Sequence, residues 1–301
     1  SASKNAAVVS MGLCQKSIMR DDSIASSMET IEADVSVTVL TGEGVKIGQI
    51  EPGAPNASDA RYGGKLTVLG GNYSDHATKV ALVIHNMAPE AQIYSVGLGE
   101  EIYLSTFYSN VENLLNLGVR VINMSASWER SNKNTDYWYS PTEQWLDHIS
   151  GTHEVTIVKS AGNNDPGLNV ADPGLAHNII TVGAINDKHT GNNLNDDIYF
   201  AKSDSGNGGD DGCAKPDLVA PGIADDGEIG TSFAAPIVTG LVAQMMDYEP
   251  SLMNRAPGEG NPVSELRPKG DRYQWGCAGI DGTGPDCDAG SGRGQRHEDV
   301  H

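Results

Sequence analysis

The feature that most constrains the fold of this chain is a regular alternation of strand and helix patterns between residues 45 and 246. Short apolar runs, typical of buried strands, are separated by segments in which apolar residues recur at helical spacing. The strands are predicted at residues 45–50, 92–96, 119–124, 155–159 and 179–182, and the helices at residues 78–87, 104–117, 142–149 and from 232 onwards. This alternation predicts an α/β fold with three layers, in which helices cover both faces of a mostly parallel sheet.

The two ends of the chain have patterns of their own. Residues 1–40 are expected to form an N-terminal arm whose helix, at residues 21–33, packs on the body. Residues 41–250 form the α/β domain. Residues 251–301, which are rich in Gly, Pro and Asp, are expected to be an irregular segment of the same domain.

A polar stretch at residues 186–217 predicts a surface loop. Its carboxylates at Asp204, Asp210 and Asp211 could supply some of the oxygen ligands of a structural Ca²⁺ ion. A solvated loop is the favoured interpretation, because the spacing of these residues does not resemble an EF-hand.

Charge and cysteine content narrow the partners and the compartment. The 301 residues include 20 Lys and Arg against 40 Asp and Glu, a net charge of −20, which argues against nucleic acid and anionic membrane surfaces as partners. No apolar run is long enough for a transmembrane helix. Cys277 and Cys287 are compatible with a disulfide bridge, and Cys14 and Cys213 are either a second bridge or two thiols. The cysteines favour an extracytoplasmic location only slightly over the cytoplasm.

The segment at residues 230–240, GTSFAAPIVTG, can place a nucleophilic serine at the start of a buried helix. Gly230 leaves room for a substrate carbonyl, and the small residues after Ser232 let a helix begin without crowding. Pro236 fits an early helical position, because N–H groups of the first turn have no intrahelical acceptor. Those N–H groups and the helix dipole favour an oxygen that carries negative charge near Ser232. An ordinary buried helix is the alternative.

A nucleophilic serine needs a base, and the base needs an acid that orients it. Glu51 follows the strand predicted at residues 45–50, so its carboxylate is expected in the crevice at the carboxyl edge of the sheet. His76 stands where a small-residue, apolar helix begins. Asp59 and Asp75 are alternative acids, but neither ends a buried strand.

Together these segments resemble the subtilisin-like serine proteases. The resemblance is carried by residues 230–240, 74–81, 159–164, 178–184 and 215–222, and it extends over residues 45–246. Glu51, His76 and Ser232 follow one another in the family's chain order of acid, base and serine. The family usually has Asp-Ser-Gly or Asp-Thr-Gly at the first position and His-Gly-Thr at the second, so Glu51, Pro52 and Ala77 depart from its pattern.

The resemblance implies a serine endopeptidase with a Ser-His-Glu triad and an oxyanion hole made by Asn163 and the N–H of Ser232. A peptide or protein substrate would lie between two segments that flank the first specificity pocket, Ser125-Ala126-Ser127 and Ser160-Ala161-Gly162. Ser127 replaces a usual Gly and is expected either to narrow the cleft or to select the residue before the cut. Leu104 and Phe107 resemble a more distant subsite, although core packing explains them equally well.

No cofactor is expected in this chemistry, and no metal ligands are assigned. Family members often carry structural Ca²⁺ and an inhibitory propeptide of their own, and neither can be located in this sequence. Two alternatives stay open. One is a catalytically impaired protein that binds peptides, and the other is a dedicated protease that processes one precursor.

Overall fold

The computed structural model describes residues 40–99, 101–128, 139–164, 170–186, 188, 197–208 and 213–253. The strands in these residues are β1 Lys46–Glu51, β2 Leu66–Gly70, β3 Gln92–Gly97, β4 Val121–Met124, β5 Thr156–Ser160, β6 Ile180–Asn186, β7 Ile198–Tyr199, β8 Gly206–Gly208, β9 Cys213–Lys215 and β10 Leu218–Pro221. The helices are α1 Asp75–Met87, α2 Leu104–Asn116, α3 Pro141–Thr152 and α4 Thr231–Tyr248, with short 3-10 helices at Ala60–Tyr62 and Pro250–Met253.

The main sheet has the strand order β10-β6-β5-β4-β1-β3-β2, and all of these neighbours are parallel. Strand β7 pairs with β6 in the antiparallel direction, and β8 and β9 form a separate antiparallel pair. Strand β1 lies between β3 and β4, where the order in which the chain adds strands changes direction. Ligands of parallel sheets bind at the carboxyl edge beside such a point. The carboxyl ends of β1, β4 and β5 therefore border one crevice.

Two apolar clusters separate the sheet from its helices. One cluster joins α1 and α4 to one face of the sheet, with Ile84 and Ile237 among its buried members. The other joins α2 and α3 to the opposite face, with Phe107 and Leu146 among its members. These two buried faces confirm the predicted three-layer α/β fold with a mostly parallel sheet.

Helices α1 and α4 begin at the crevice and pack against each other. The hydroxyl of Ser74 caps α1 by accepting a hydrogen bond from the N–H of Ala77, so the helix begins before residue 78, its predicted start. At the contact between the helices, a Cβ built on Gly240 would lie 2.2 Å from Cβ of Met87. Only glycine allows this close approach, which packs the end of α1 against the middle of α4.

Most predicted elements are present within about three residues of their expected bounds, but the segment at 186–217 differs. The surface-loop prediction is wrong for Ser203 and Asp204, whose side chains are fully buried. Strand β2 was not predicted, because its exposed residues leave no clear pattern. The predicted N-terminal helix, residues 254–301, Asp210 and Asp211 lie outside the described residues. No helix in the described part is long and apolar enough to cross a membrane.

Candidate active site

The predicted catalytic residues all lie at the carboxyl edge of the sheet. Glu51 is the last residue of β1, and the segment at 160–163 runs out of the end of β5. His76 lies in the first turn of α1, and Ser232 lies in the first turn of α4. Residues far apart in the chain are thus brought together by strand ends and helix starts.

The carboxylate of Glu51 is fully buried, and its two oxygens have different partners. Oε1 accepts hydrogen bonds from Nδ2 of Asn123 and from the N–H of Ser125, each at 3.2 Å. Oε2 lies 3.3 Å from Nδ1 of His76. A buried carboxylate is costly unless donors surround it, so this geometry contradicts the alternative of a surface carboxylate.

The alternative acids of the sequence analysis make other contacts. Asp59 caps the 3-10 helix at Ala60–Tyr62 and pairs with Arg61 at 2.7 Å. Asp75 is exposed and pairs with Lys79 at 3.1 Å. Only Glu51, among these three carboxylates, forms an ion pair with the imidazole.

The imidazole of His76 lies between the acid and the serine helix. Its Nδ1 and Oε2 of Glu51 are at ion-pair distance, but they do not form a hydrogen bond, and neither atom has a hydrogen-bond partner among the described residues. The ring also packs on Phe233, the neighbour of Ser232, with centroids 5.7 Å apart. The described contacts include no hydrogen bond from Ser232 Oγ to His76, and such bonds often form only with substrate present.

The acid and the base influence each other's protonation. Burial raises the pKa of the Glu51 carboxyl above its ordinary value, while His76, the N–H of Ser125 and the charge of Lys159 favour its ionised form. Burial lowers the pKa of His76, but its close contact with the Glu51 carboxylate, helped by the charge of Glu228, outweighs burial and raises the pKa overall. His76 is therefore a stronger base than an isolated imidazole.

A buried polar network, which the sequence analysis missed, links the acid to the serine helix. Asn123 of β4 donates to Glu51 and accepts a hydrogen bond from Oγ1 of Thr239 in α4 at 3.0 Å. Ser125 donates from Oγ to the main-chain oxygen of Ser232 at 3.0 Å. An amide inside the apolar run VINM was the one available signal for Asn123. These bonds fix the distance between β4 and the start of α4.

The side chain of Asn163 is oriented by Thr231, the residue before the serine. Oδ1 of Asn163 accepts from the N–H of Thr231 at 2.8 Å and from its hydroxyl at 3.1 Å. The same hydroxyl accepts from the N–H of Gly162 at 3.1 Å. Because Oδ1 is held in this way, the amide Nδ2 is left as the donor. This is the orientation that an oxyanion donor requires.

The turn that carries Asn163 is held in place by hydrogen bonds with Asp204. Its carboxylate accepts from the N–H of Asn164 at 2.8 Å and from Nδ2 of Asn164 at 3.0 Å, and its own N–H donates to Gly162. A Cβ on Gly162 would lie 2.1 Å from Oδ2 of Asp204, and Gly162 also has a φ of +115°. Asp204, which the sequence analysis considered as a possible calcium ligand, thus holds this turn through its hydrogen bonds.

The predicted substrate-binding residues differ in their exposure. Ser125, Ala126, Ser160 and Ala161 are buried, whereas Ser127 is exposed at the end of its segment. Leu104 is 43% exposed. Phe107 is fully buried and packs on the rings of Tyr108, Trp128 and Trp145, which favours core packing over a subsite. No cluster of three or more metal-binding side chains occurs among the described residues.

A carboxylate, an imidazole and a serine at the carboxyl edge of an α/β sheet are the arrangement found in one class of proteins, the serine hydrolases. Within that class, this chain belongs to the subtilase family, whose model matches residues 62–261. The matched region contains His76, Asn163 and Ser232 and begins after Glu51. The assignment of the acid therefore depends on the geometry.

Two curated relatives are bacterial proteins. The alkaline elastase YaB of Bacillus sp. (strain YaB) is 25% identical over 241 residues, which cover 71% of this chain and 57% of that protein. The serine protease AprX of Bacillus subtilis (strain 168) is 30% identical over 122 residues, which cover 33% of this chain and 27% of that protein. The chain thus spans about half or less of the length of these relatives.

Several solved structures share the fold. A cold adapted subtilisin-like serine proteinase has a TM-score of 0.56 and 21% identity, with 83% of this chain and 96% of that chain covered. The self-cleaved protease domain of PatA has a TM-score of 0.54 and 22% identity, with 72% and 85% covered. The prenylagaramide maturation protease PagA has a TM-score of 0.53 and 21% identity, with 71% and 78% covered. These similarities confirm the subtilisin-like fold.

Proposed function

We propose that this chain is a serine endopeptidase that hydrolyses peptide bonds through Ser232, His76 and Glu51. The observation that carries the proposal is the buried carboxylate of Glu51, which lies 3.3 Å from Nδ1 of His76 beside the helix of Ser232. Burying an ionisable pair costs free energy, and proteins often tolerate that cost where the pair has a role that only its buried position can serve. Orienting a catalytic imidazole is such a role.

In the proposed reaction, Oγ of Ser232 attacks the carbonyl carbon of the scissile bond. Nε2 of His76 takes the hydroxyl proton and later gives it to the leaving amine. Glu51 holds the proton on Nδ1, which selects the tautomer whose Nε2 is free to accept, and stabilises the imidazolium that forms. Water then attacks the acyl group on Ser232 by the same route in reverse.

Two donors would stabilise the negative oxygen of the tetrahedral intermediate. One is Nδ2 of Asn163, whose direction Thr231 fixes. The other is the N–H of Ser232, which lies in the first turn of α4 and has no acceptor within the helix. The loss of one such donor costs a serine protease about 10²–10³ in kcat.

The proposal is tested by labelling the purified protein with a fluorophosphonate and mapping the modified residue by mass spectrometry. Labelling needs an activated serine and no knowledge of the substrate. We expect modification at Ser232, none in Ser232→Ala, and unchanged labelling in Ser58→Ala, which removes an exposed hydroxyl. A folded protein free of any propeptide that is not labelled would contradict the proposal and favour a peptide-binding protein.

A second candidate is a dedicated processing protease. The specific observation is the polar, exposed Ser127 at the expected pocket, where the subtilisin-like family usually has Gly. Among the proteins that share the fold, PagA and PatA are maturation proteases of prenylagaramide and patellamide. We propose that this chain cuts a narrow set of sequences. Cleavage of a few members of a peptide library without digestion of casein would support this, and general digestion of casein would contradict it.

The remaining expectations belong to the same proposal. The partners are peptide or protein substrates, with a propeptide of its own as a further candidate. Catalysis requires no cofactor, and any bound Ca²⁺ would be structural. An extracytoplasmic location fits a secreted protease and is checked by fractionating cells that express the full gene product.

A further inference from the structure

Strand β5 contains a lysine whose side chain has no exposed surface. Lys159 is the fourth residue of the strand TIVKS, in which all residues are buried. A lysine in this position is costly, because an ammonium group loses its hydration when it is buried. Burial lowers the pKa of Lys159 to about 7, although the charges of Glu51, Asp204, Asp172 and Glu143 oppose this effect.

The ammonium group of Lys159 connects the two segments that are expected to flank the first specificity pocket. Nζ donates to Oγ of Ser127 at 2.9 Å, which belongs to the first segment. It also donates to the main-chain oxygen of Ser160 and to Oγ of Ser160 at 3.2 Å, which belong to the second segment. Nζ therefore lies between these segments, and in the part of the chain that the structure describes none of its contacts is a carboxylate.

The hydroxyl of Ser127 is the outermost of these contacts. Its oxygen accepts a hydrogen bond from Lys159, so its own hydrogen must be donated to some other acceptor. No described residue accepts that hydrogen, and Ser127 is exposed. The result is a donor polarised by a cation and directed away from it. The chemistry that matches such a donor is an anionic oxygen.

We propose that Ser127 and Lys159 make the first specificity pocket selective for a carboxylate side chain, that of Glu or Asp, on the residue before the scissile bond. The inference rests on the proposed function, because it takes the serine to be Ser232 and the pocket to lie between the two segments. A substrate carboxylate accepts from the Ser127 hydroxyl and supplies the counter-ion that Lys159 lacks. A peptide with an amide in place of the carboxylate can form the hydrogen bond but leaves the buried charge unpaired.

Three of the four nearby protein carboxylates have donors of their own, so they do not replace this counter-ion. Asn123 and Ser125 donate to Glu51, Asn164 donates to Asp204, and the N–H groups of Ser140 and Leu175 donate to Glu143. Asp172 acts on Lys159 through its charge, but no contact between its carboxylate and Nζ occurs among the described residues. Their summed charge keeps Lys159 partly protonated near neutral pH. It does not place an oxygen on Nζ.

The test compares peptides that differ only in the residue before the cut, with Glu, Gln, Ala, Phe or Lys at that position. At pH 6 the ammonium is charged, and we expect kcat/KM for the Glu peptide to exceed that for the Gln peptide by about 10–100-fold. The reason is that a hydrogen bond to a charged group contributes more free energy than a hydrogen bond between neutral groups. The ratio should fall as the pH rises past 7. Because both peptides use the same triad, the ratio cancels the titration of His76.

Three variants assign the effect to the named residues. Lys159→Met keeps the length of the side chain and removes its charge, so the Glu-to-Gln ratio should fall to near one, and Ser127→Ala should lower it as well. Lys202→Met, which removes an exposed lysine, is the matched control and should keep the ratio. If Lys159→Met fails to fold, the wild-type ratio and Ser127→Ala decide the question.

Failure of this inference is distinguishable from failure of the proposed function. Labelling of Ser232 by the fluorophosphonate, together with a Glu-to-Gln ratio near one or a preference for Phe or Lys, would overturn the inference alone. Absence of labelling would overturn the proposed function. If labelling occurs but no peptide is cut, the slowing of labelling by each peptide gives the same ranking without turnover.

Discussion

Replacing Glu51 with Asp should impair this protein, although subtilisin-like proteases usually carry Asp as the triad acid. The carboxylate of Glu51 lies 3.3 Å from Nδ1 of His76 and 3.2 Å from the donors on Asn123 and Ser125. Removing one methylene withdraws the carboxylate by up to about 1.5 Å, the length of one carbon–carbon bond. The oxygen would then lie beyond hydrogen-bonding distance from at least one of these partners.

The backbone cannot move forward to compensate. Strand β1 is paired on both sides, with Glu51 opposite Gly97 in β3 and Ile50 opposite Met124 in β4. The chain is also crowded after the strand, because a Cβ added to Gly97 would lie 2.8 Å from the main chain of Gly53. The shorter side chain must therefore leave a gap of more than 1 Å, roughly the difference between the two side-chain lengths.

The expected losses follow from the role of the acid in the transition state. Glu51→Ala should lower kcat about 10⁴-fold, as changes of a triad acid do, which corresponds to about 5.4 kcal/mol in activation free energy. For Glu51→Asp, kcat should lie between those of wild type and Glu51→Ala, with a loss of about 10–10³-fold, because a water molecule can bridge part of the gap. KM should change little, since the imidazolium exists only during the reaction.

The assay is the rate of fluorophosphonate labelling, with kcat and KM on a cleaved peptide, for wild type, Glu51→Asp, Glu51→Gln and Glu51→Ala. Near-ultraviolet circular dichroism of each variant confirms that the fold is intact. Activity in Glu51→Asp equal to wild type would refute the argument that β1 is fixed. Activity retained in Glu51→Ala would show that the acid is another residue.

Three further predictions concern the surrounding structure. Thr231→Val removes the hydroxyl that orients Asn163, so kcat should fall by about 10-fold or more with little change in KM, measured on the peptide above. Gly240→Ala should destabilise the fold by about 1–3 kcal/mol, because the new Cβ would collide with Met87. Helix propensity alone predicts the opposite, a gain in stability, and a thermal melt of an inactive variant distinguishes the two. The acid limb of kcat/KM should lie above pH 6.5, since the raised pKa of His76 keeps the base protonated to a higher pH than usual; a limb below 6.5 would contradict the direction of that shift.

The titration of His76 should change stability and activity in opposite directions as the pH rises. The folded-state pKa of His76 lies above its unfolded value, so its interaction with the carboxylate stabilises the fold below the unfolded pKa. That contribution is lost as the pH rises through the folded pKa. The pH range in which the imidazole becomes an active base is therefore the range in which this stabilisation is lost.

The elements that sequence reasoning predicted well are those with local signals. The helix of Ser232 is specified by small residues and by a proline in its early turns, and the body of α1 is specified by its apolar periodicity. The buried strands that contribute to the site have apolar runs of ordinary length. Each of these signals acts within about ten residues, which is the range over which propensity, capping and periodicity operate.

The errors occurred where a polar residue is buried by partners that are distant in the chain. Asp204 lies in a stretch that reads as a solvated loop, yet it is buried because its carboxylate binds the turn at 162–164. Asn123 and Lys159 each interrupt an apolar strand, and nothing in the local sequence names their partners. Buried polar groups need hydrogen bonds, but the sequence does not say which chain segment supplies them.

The sequence by itself predicted the order of most buried strands and helices and the edge of the sheet where the candidate site lies, because those depend on periodicity and on the ends of elements. The candidate nucleophile and base came from the same segments through their resemblance to a known family. Only the tertiary structure decided that Glu51 faces His76, that Thr231 orients Asn163 and that Lys159 lies between the pocket segments. Such contacts depend on distances of a few ångströms between residues far apart in the chain. Packing, and not local propensity, sets those distances.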